Sequence, residues 1–173
     1  MKITRAQAEE YQEVSDFYDA LIDGLAGSPF DAGWKKGIYP DPAFLKASIA
    51  QGNLYLGRIN GRIAAAMVLN HQWNEGYDSI KWPTDASPED ITVIHALGVH
   101  PYSAHQGLAK QMVRFAINTA REHHQKVIRL DVLKGNVPAE KLYASAGFQY
   151  LETIRMFYPD TGMTEYELYE YAV

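Results

Sequence analysis

Cysteine is absent from this 173-residue chain. That excludes disulfides, thiolate-ligated zinc and a cysteine nucleophile. Long apolar runs are missing too: the longest, Ile63 to Leu69, falls far short of the roughly 20 residues a spanning helix needs. Met1 to Glu10 has no apolar core, so it does not read as a secretory signal. Positive charge is not in excess. The net charge is −5 and the isoelectric point about 5.6, which argues against a broadly basic nucleic-acid-binding face. There is no H-E-x-x-H pair, and His123 and His124 are adjacent on a helix end, pointing different ways, so no metal site is expected. A Walker A loop, a Rossmann glycine fingerprint and a G-x-S-x-G elbow are also missing. The expectation is a cytoplasmic protein with neither membrane nor nucleic acid as partner.

What is present is ordinary for a globular protein: 47% apolar and 21% charged residues, without repeats or long linkers. The length suits one domain over residues 1–173. Lys2 to Arg5 reads as a short strand. Ala8 to about Leu25 reads as a helix, with Val14, Phe17, Tyr18, Leu21 and Leu25 at helical spacing. Ser28 to Pro40 reads as loop or short helix. Asp41-Pro42 starts a second helix, running to about Ala50. Asn60-Gly61 predicts a tight hairpin between strands Leu54 to Ile59 and Arg62 to Trp73. Asn74 to Asp90 reads as a polar surface loop. Then come strand Ile91 to Val99, helix Gly107 to about His123, strand Val127 to Leu133, short helix Pro138 to Ala146, and closing strands Phe148 to Tyr158 and Met163 to Tyr171. This order predicts an α/β (α+β) fold: a mixed sheet of about seven strands flanked by helices, with one parallel pair around the third helix.

The informative stretch is Leu97-Gly98-Val99-His100-Pro101-Tyr102-Ser103-Ala104-His105-Gln106-Gly107-Leu108-Ala109. A strand ends, a short turn follows, and a helix begins near Gly107. Leu108, Met112, Phe115 and Thr119 form the stripe expected to seat that helix on the sheet. Its first-turn N–H groups and dipole suit an anionic group such as a pyrophosphate, and Gly107 allows close approach to the backbone. A helix that merely needs a start gives the same pattern.

Further along stand Asn136, then Pro138-Ala139-Glu140-Lys141-Leu142-Tyr143, then Ala146-Gly147-Phe148. With this second segment the chain resembles the GNAT family of acyl-CoA-dependent N-acetyltransferases. Val99-His100-Pro101 with Gly107-Leu108-Ala109 resembles the family's acetyl-CoA pyrophosphate loop. Asn136 to Phe148 resembles its N-x-x-A-x-x-L-Y-x-x-x-G-F segment. The match covers about Ile91 to Tyr150. It implies that the parallel strands splay around acetyl-CoA. It also implies that Leu97, Gly98, Val99, the loop Ala104, His105, Gln106, Gly107, Leu108, Ala109 and Lys110, and Asn136, Ala139 and Tyr143 bind that cosubstrate. The family usually carries Arg or Gln where this chain has Ala104. The loop then relies on backbone amides, with His105, Gln106 and Lys110 beside them.

The chemistry implied is attack of an amine on a thioester. An alkyl ammonium has a reference pKa near 10.4, so it must lose a proton first. The leaving thiolate gains from a proton donor, and the thioester oxygen from a backbone N–H at a strand end. Tyr143 matches the family's tyrosine near the coenzyme A sulfur, which implies a general acid; as a residue it also reads as a packing aromatic beside Leu142 and Ala146. Two base candidates stand. Asp131 matches a position where some members carry a catalytic carboxylate, or simply pairs with Arg129 or Arg155. His95 has the better-matched pKa, and period-two alternation puts it on one face with Leu97 and Val99.

The acceptor is expected to be set by the first half of the chain and the ends of the closing strands. Phe30, Trp34 and Tyr39, and the group Trp73, Tyr77 and Trp82, read equally as walls of a substrate cleft and as core or homodimer contacts. The acidic balance favours a cationic amine. The leading expectation is acetyl transfer from acetyl-CoA to a primary amine of a small molecule or peptide. The alternatives are a non-catalytic acyl-CoA-binding domain of the same fold and a nucleotide-binding interaction domain.

Overall fold

The computed structural model describes residues 1–28 and 32–173. Phe30, grouped above with Trp34 and Tyr39, lies outside the described residues. In chain order the elements are β1 (Lys2–Arg5), α1 (Tyr11–Leu25), α2 (Pro42–Ala50), β2 (Leu54–Ile59), β3 (Arg62–Asn70), β4 (Ile91–Val99), α3 (Leu108–Glu122), β5 (Val127–Leu133), α4 (Val137–Ser145), β6 (Gln149–Tyr158) and β7 (Gly162–Ala172).

Local chemistry sets these limits. The Asp41 carboxylate accepts from the amides of Ala43 at 2.8 Å and Phe44 at 3.0 Å, and Pro42 stands in the first turn of α2. Asn60 and Gly61 take φ of 49° and 80°, the left-handed values of a two-residue hairpin turn. β3 ends at Asn70, three residues before the expected limit. The reason is the Asn70 side chain, whose Oδ1 accepts from the Gln72 amide at 2.9 Å and turns the chain out of the sheet. The segment 74–90 is only partly a surface loop. It holds short 3-10 turns at Glu75–Ser79 and Pro88–Asp90, and Tyr77 within it is buried against Met156, Tyr166 and Leu168.

The sheet order is β1-β2-β3-β4-β5-β7-β6, and β4 with β5 is its parallel pair. One face packs on α3 and α4 through Met67, Ile94, Met112, Ala116, Leu130 and Tyr143. The other packs on α1 and α2 through Val14, Phe17, Leu21, Leu45 and Val68. The buried stripe of α3 is Leu108, Met112, Val113, Ala116, Ile117 and Ala120. Phe115 and Thr119, expected at its centre, lie at its margin.

The parallel pairing is short. Ile91, Thr92 and Val93 pair with Val127, Ile128 and Arg129, and there the ladder ends although both strands continue. β4 also carries one extra residue against β3: Val68 faces His95 while Ala66 faces Gly98. Ala96, inside this bulge, has φ of 49°. The bulge breaks the expected alternation. His95, opposite Val68, lies on the α1–α2 face, whereas Leu97 and Val99 lie on the α3–α4 face. His95 therefore does not share a face with Leu97 and Val99.

Candidate active site

The gap that opens between β4 and β5 leads into a cavity of ≈ 110 Å³. It gathers residues that the sequence separates: His95 and Leu97 from β4, Asp131 from β5, Asn136 at the cap of α4, and Ala139 and Tyr143 within that helix. Trp34, Tyr39, Tyr158, Asp160 and Tyr166 also line it.

Asp131 is held by two tyrosines. The hydroxyls of Tyr77 and Tyr158 donate to its Oδ2 at 2.8 and 2.9 Å. Burial raises its pKa, and the two hydroxyls only partly counter that. Neither expected arginine pairs with it. Arg129 points from the same face of β5 but binds Glu170 at 2.9 Å and lies 4.2 Å from the Trp82 ring. The Arg155 side chain donates to the Met163 carbonyl.

His95 presents Nε2 to the Gln72 carbonyl at 2.9 Å and to Asn70 Oδ1 at 3.0 Å. Both partners are acceptors, so Nε2 carries the proton. Burial pushes the pKa of His95 down to about 4, leaving the ring neutral at pH 7.

Tyr143 reaches the cavity from the opposite face. Its ring packs edge-on against Phe148 at 5.4 Å, and burial raises the pKa of its hydroxyl, which stays protonated. Asn136 caps α4, its Oδ1 accepting from the Ala139 amide at 3.4 Å, while it also lines the cavity. Leu97 and Val99 frame the opening with their backbone. His100 donates to the Ala64 carbonyl at 2.8 Å, so the amides of Leu97 and Val99, out of phase with it, face the side that β5 has left.

The loop before α3 lies apart from this cavity. Ala104, His105, Gln106, Gly107 and Lys110 are exposed, and Leu108 is buried. His105 and Gly107 have φ of 61° and 71°, which curls the backbone ahead of the helix. No side chain caps the α3 N-terminus. Its first amides are thus left to solvent or to an anion. A Cβ on Gly107 would meet nothing within 4 Å, so glycine is needed there for its φ, with open space in front of it.

The sequence does not mark Tyr158 or Asp160 as site residues, and it groups Tyr77 with Trp73 and Trp82 as a cleft wall or core contact without linking it to Asp131. Tyr77 stood in a polar segment, and Asp160 sits in Tyr158-Pro159-Asp160-Thr161-Gly162, which carries only the signature of a turn. Among the described residues no group of three or more His, Asp or Glu side chains forms a metal-binding cluster, and no helix is long and apolar enough to cross a membrane.

The chain thus combines an uncapped start to α3 with a parallel strand pair that parts after three residue pairs. The chain belongs to the acetyltransferase (GNAT) family, whose model matches residues 18–148. Among solved structures it is similar to a GNAT-family acetyltransferase from Streptococcus agalactiae, with 20% identity over 99% of this chain and 95% of that one and a TM-score of 0.81. It is also similar to a Salmonella typhimurium protein solved with its cofactor acetyl-CoA (16% identity, 99% and 93% covered, TM-score 0.69). A polyamine N-acetyltransferase from Drosophila melanogaster shares the fold at 15% identity, with 99% of both chains covered and a TM-score of 0.70. No functionally curated protein matches the chain in sequence.

Proposed function

We propose that this protein is an N-acetyltransferase that moves an acetyl group from acetyl-CoA directly to a primary amine. The observation that carries this reading is the β4–β5 gap, with Tyr143 on one side and Asp131 on the other, near an uncapped helix N-terminus. Acetyl-CoA supplies the activated acyl carbon and a thiol leaving group.

The amides of the loop from Ala104 to Lys110 hold the pyrophosphate, helped by the α3 dipole. A β4 amide, at Leu97 or Val99, donates to the thioester oxygen as it gains charge. The acceptor enters as an ammonium and gives one proton to Asp131, whose raised pKa brings it towards the working range of a base. His95 is the weaker candidate for that step, because burial makes its ring a poor proton acceptor at neutral pH. The N–C bond forms and the C–S bond breaks. Tyr143 gives its proton to the sulfur, and the second nitrogen proton returns to the tyrosine oxygen through water. One amide, one thiol and one net proton result.

Thermal-shift and thiol-release measurements with acetyl-CoA across an amine and peptide panel test this. Stabilisation with amine-dependent thiol release supports the reading. Stabilisation without thiol release for any acceptor would mark an acyl-CoA-binding domain instead.

A further inference from the structure

The mechanism above leaves one carboxylate unused. Asp160, in the β6–β7 turn, is only 4% exposed and lines the same cavity as Asp131. Its Oδ1 has no hydrogen-bond partner among the described residues, although backbone amides of Asp160 and Thr161 approach the carboxylate. Such a desolvated oxygen costs stability unless something binds it. None of the described residues lining the cavity is Lys or Arg. Lys35, itself exposed, acts on Asp160 through space and makes no ion pair with it among the described residues.

The walls around Asp160 are aromatic and fixed. Tyr166 exchanges a hydrogen bond with Thr161 Oγ1 at 2.6 Å, and its ring meets Tyr158 edge-on at 4.9 Å. Trp34 and Tyr39 stand together at 5.5 Å. Gly33, with φ of 76°, lets their segment close over the turn; a Cβ there would lie 2.6 Å from Thr161 Cγ2. Aromatic faces with a buried carboxylate favour an organic cation.

We propose that Asp160 anchors a second, non-reacting ammonium, so that the preferred acceptor is a compact diamine. This rests on the N-acetyltransferase reading and deepens it. The attacking nitrogen must be neutral when the N–C bond forms, its proton having passed to Asp131, so it leaves Asp160 without a counter-charge at that moment. A second positive group on the acceptor supplies one, and it keeps its charge through the reaction. The cavity volume of ≈ 110 Å³ suits a short carbon chain between the two nitrogens.

The test compares 1,4-diaminobutane with n-pentylamine, which replaces the second ammonium by a methyl group of similar size. Calorimetric binding to the wild-type protein is measured first and needs no turnover. The diamine is expected to bind at least tenfold tighter, and Asp160→Asn to reduce that preference to near one. The ratio of kcat/KM for the two amines should change in parallel. Equal binding of both amines by the folded wild-type protein would overturn the proposal, as would an undiminished diamine preference in a folded Asp160→Asn variant. If the variant does not fold, the wild-type ratio alone decides. If the diamine preference holds but no amine releases thiol from acetyl-CoA, the subsite stands and the transferase reading fails. If both amines react equally well and bind equally well, the reverse is true.

Discussion

The Tyr77 hydroxyl donates to Asp131 Oδ2 at 2.8 Å, tying the segment between β3 and β4 to the end of β5, 54 positions later. This bond favours the charged carboxylate. Tyr77→Phe removes it and leaves Tyr158 as the remaining donor of the pair. The Asp131 pKa then rises further, so the acidic limb of kcat/KM should move to higher pH. A limb that stays in place while activity is retained would show that Asp131 is not the titrating base.

Asp131→Asn should separate stability from activity. Burial raises the folded pKa of Asp131 above its ordinary value of 3.8, so the folded state holds this proton more tightly than the unfolded chain. The associated stability is fully present below pH 3.8 and is lost as pH rises through the folded value. At pH 7 an uncharged Asn, with its carbonyl oxygen accepting from both tyrosines, should melt higher than wild type. Its kcat should fall by roughly 10²–10⁴-fold. A lower melting temperature at pH 7 would count against a desolvated charge at this position.

For His95 the sign is opposite. Its folded pKa, about 4, lies below the ordinary 6.5, so the unfolded chain takes up a proton that the folded state resists. Wild-type stability should therefore fall as pH drops from 6.5 towards 4. His95→Gln should flatten that part of the stability–pH curve in thermal melts. If His95 also acts as the base, the same substitution removes the acidic limb of kcat/KM; with Asp131 as base, the limb persists.

Tyr143→Phe keeps the ring against Phe148 and deletes only the hydroxyl. Turnover should fall by roughly 10²–10⁴-fold while the affinity for acetyl-CoA changes little. Full kcat with a good acceptor would return Tyr143 to a packing role.

Acetyl-CoA at about 100 times its Kd should stabilise the protein by roughly 2.7 kcal/mol. Gly107→Glu should abolish that shift, since it sets a negative side chain in the open space before α3 and strains a backbone at φ 71°. A shift of wild-type size in this variant would place the pyrophosphate elsewhere.

Much of the scaffold was legible because its signals are local. Asp41-Pro42, Asn60-Gly61 and the start of α3 each declare themselves within a few residues, and Asp131, Asn136 and Tyr143, which only the family resemblance connected, line one cavity. The rest depends on contacts across the chain. The bulge at Ala96 has no sequence signature, since alanine does not ordinarily adopt a positive φ, and it moved His95 to the other face. Tyr77 sits among polar neighbours and is buried only because β6 and β7 cover it. Asp160 reads as a turn residue until the segment around Gly33 closes over it.

The short ladder between β4 and β5 makes the sheet two antiparallel halves, β1–β4 and β5–β7–β6, stitched by three residue pairs and the crossover helix. A pantetheine arm laid in the gap would act as a missing strand, offering amide groups where the neighbouring strand has withdrawn. Ligand affinity and cohesion between the halves then become one quantity. Hydrogen exchange at the Leu97 and Val99 amides would report it, slowing as the cosubstrate closes the seam.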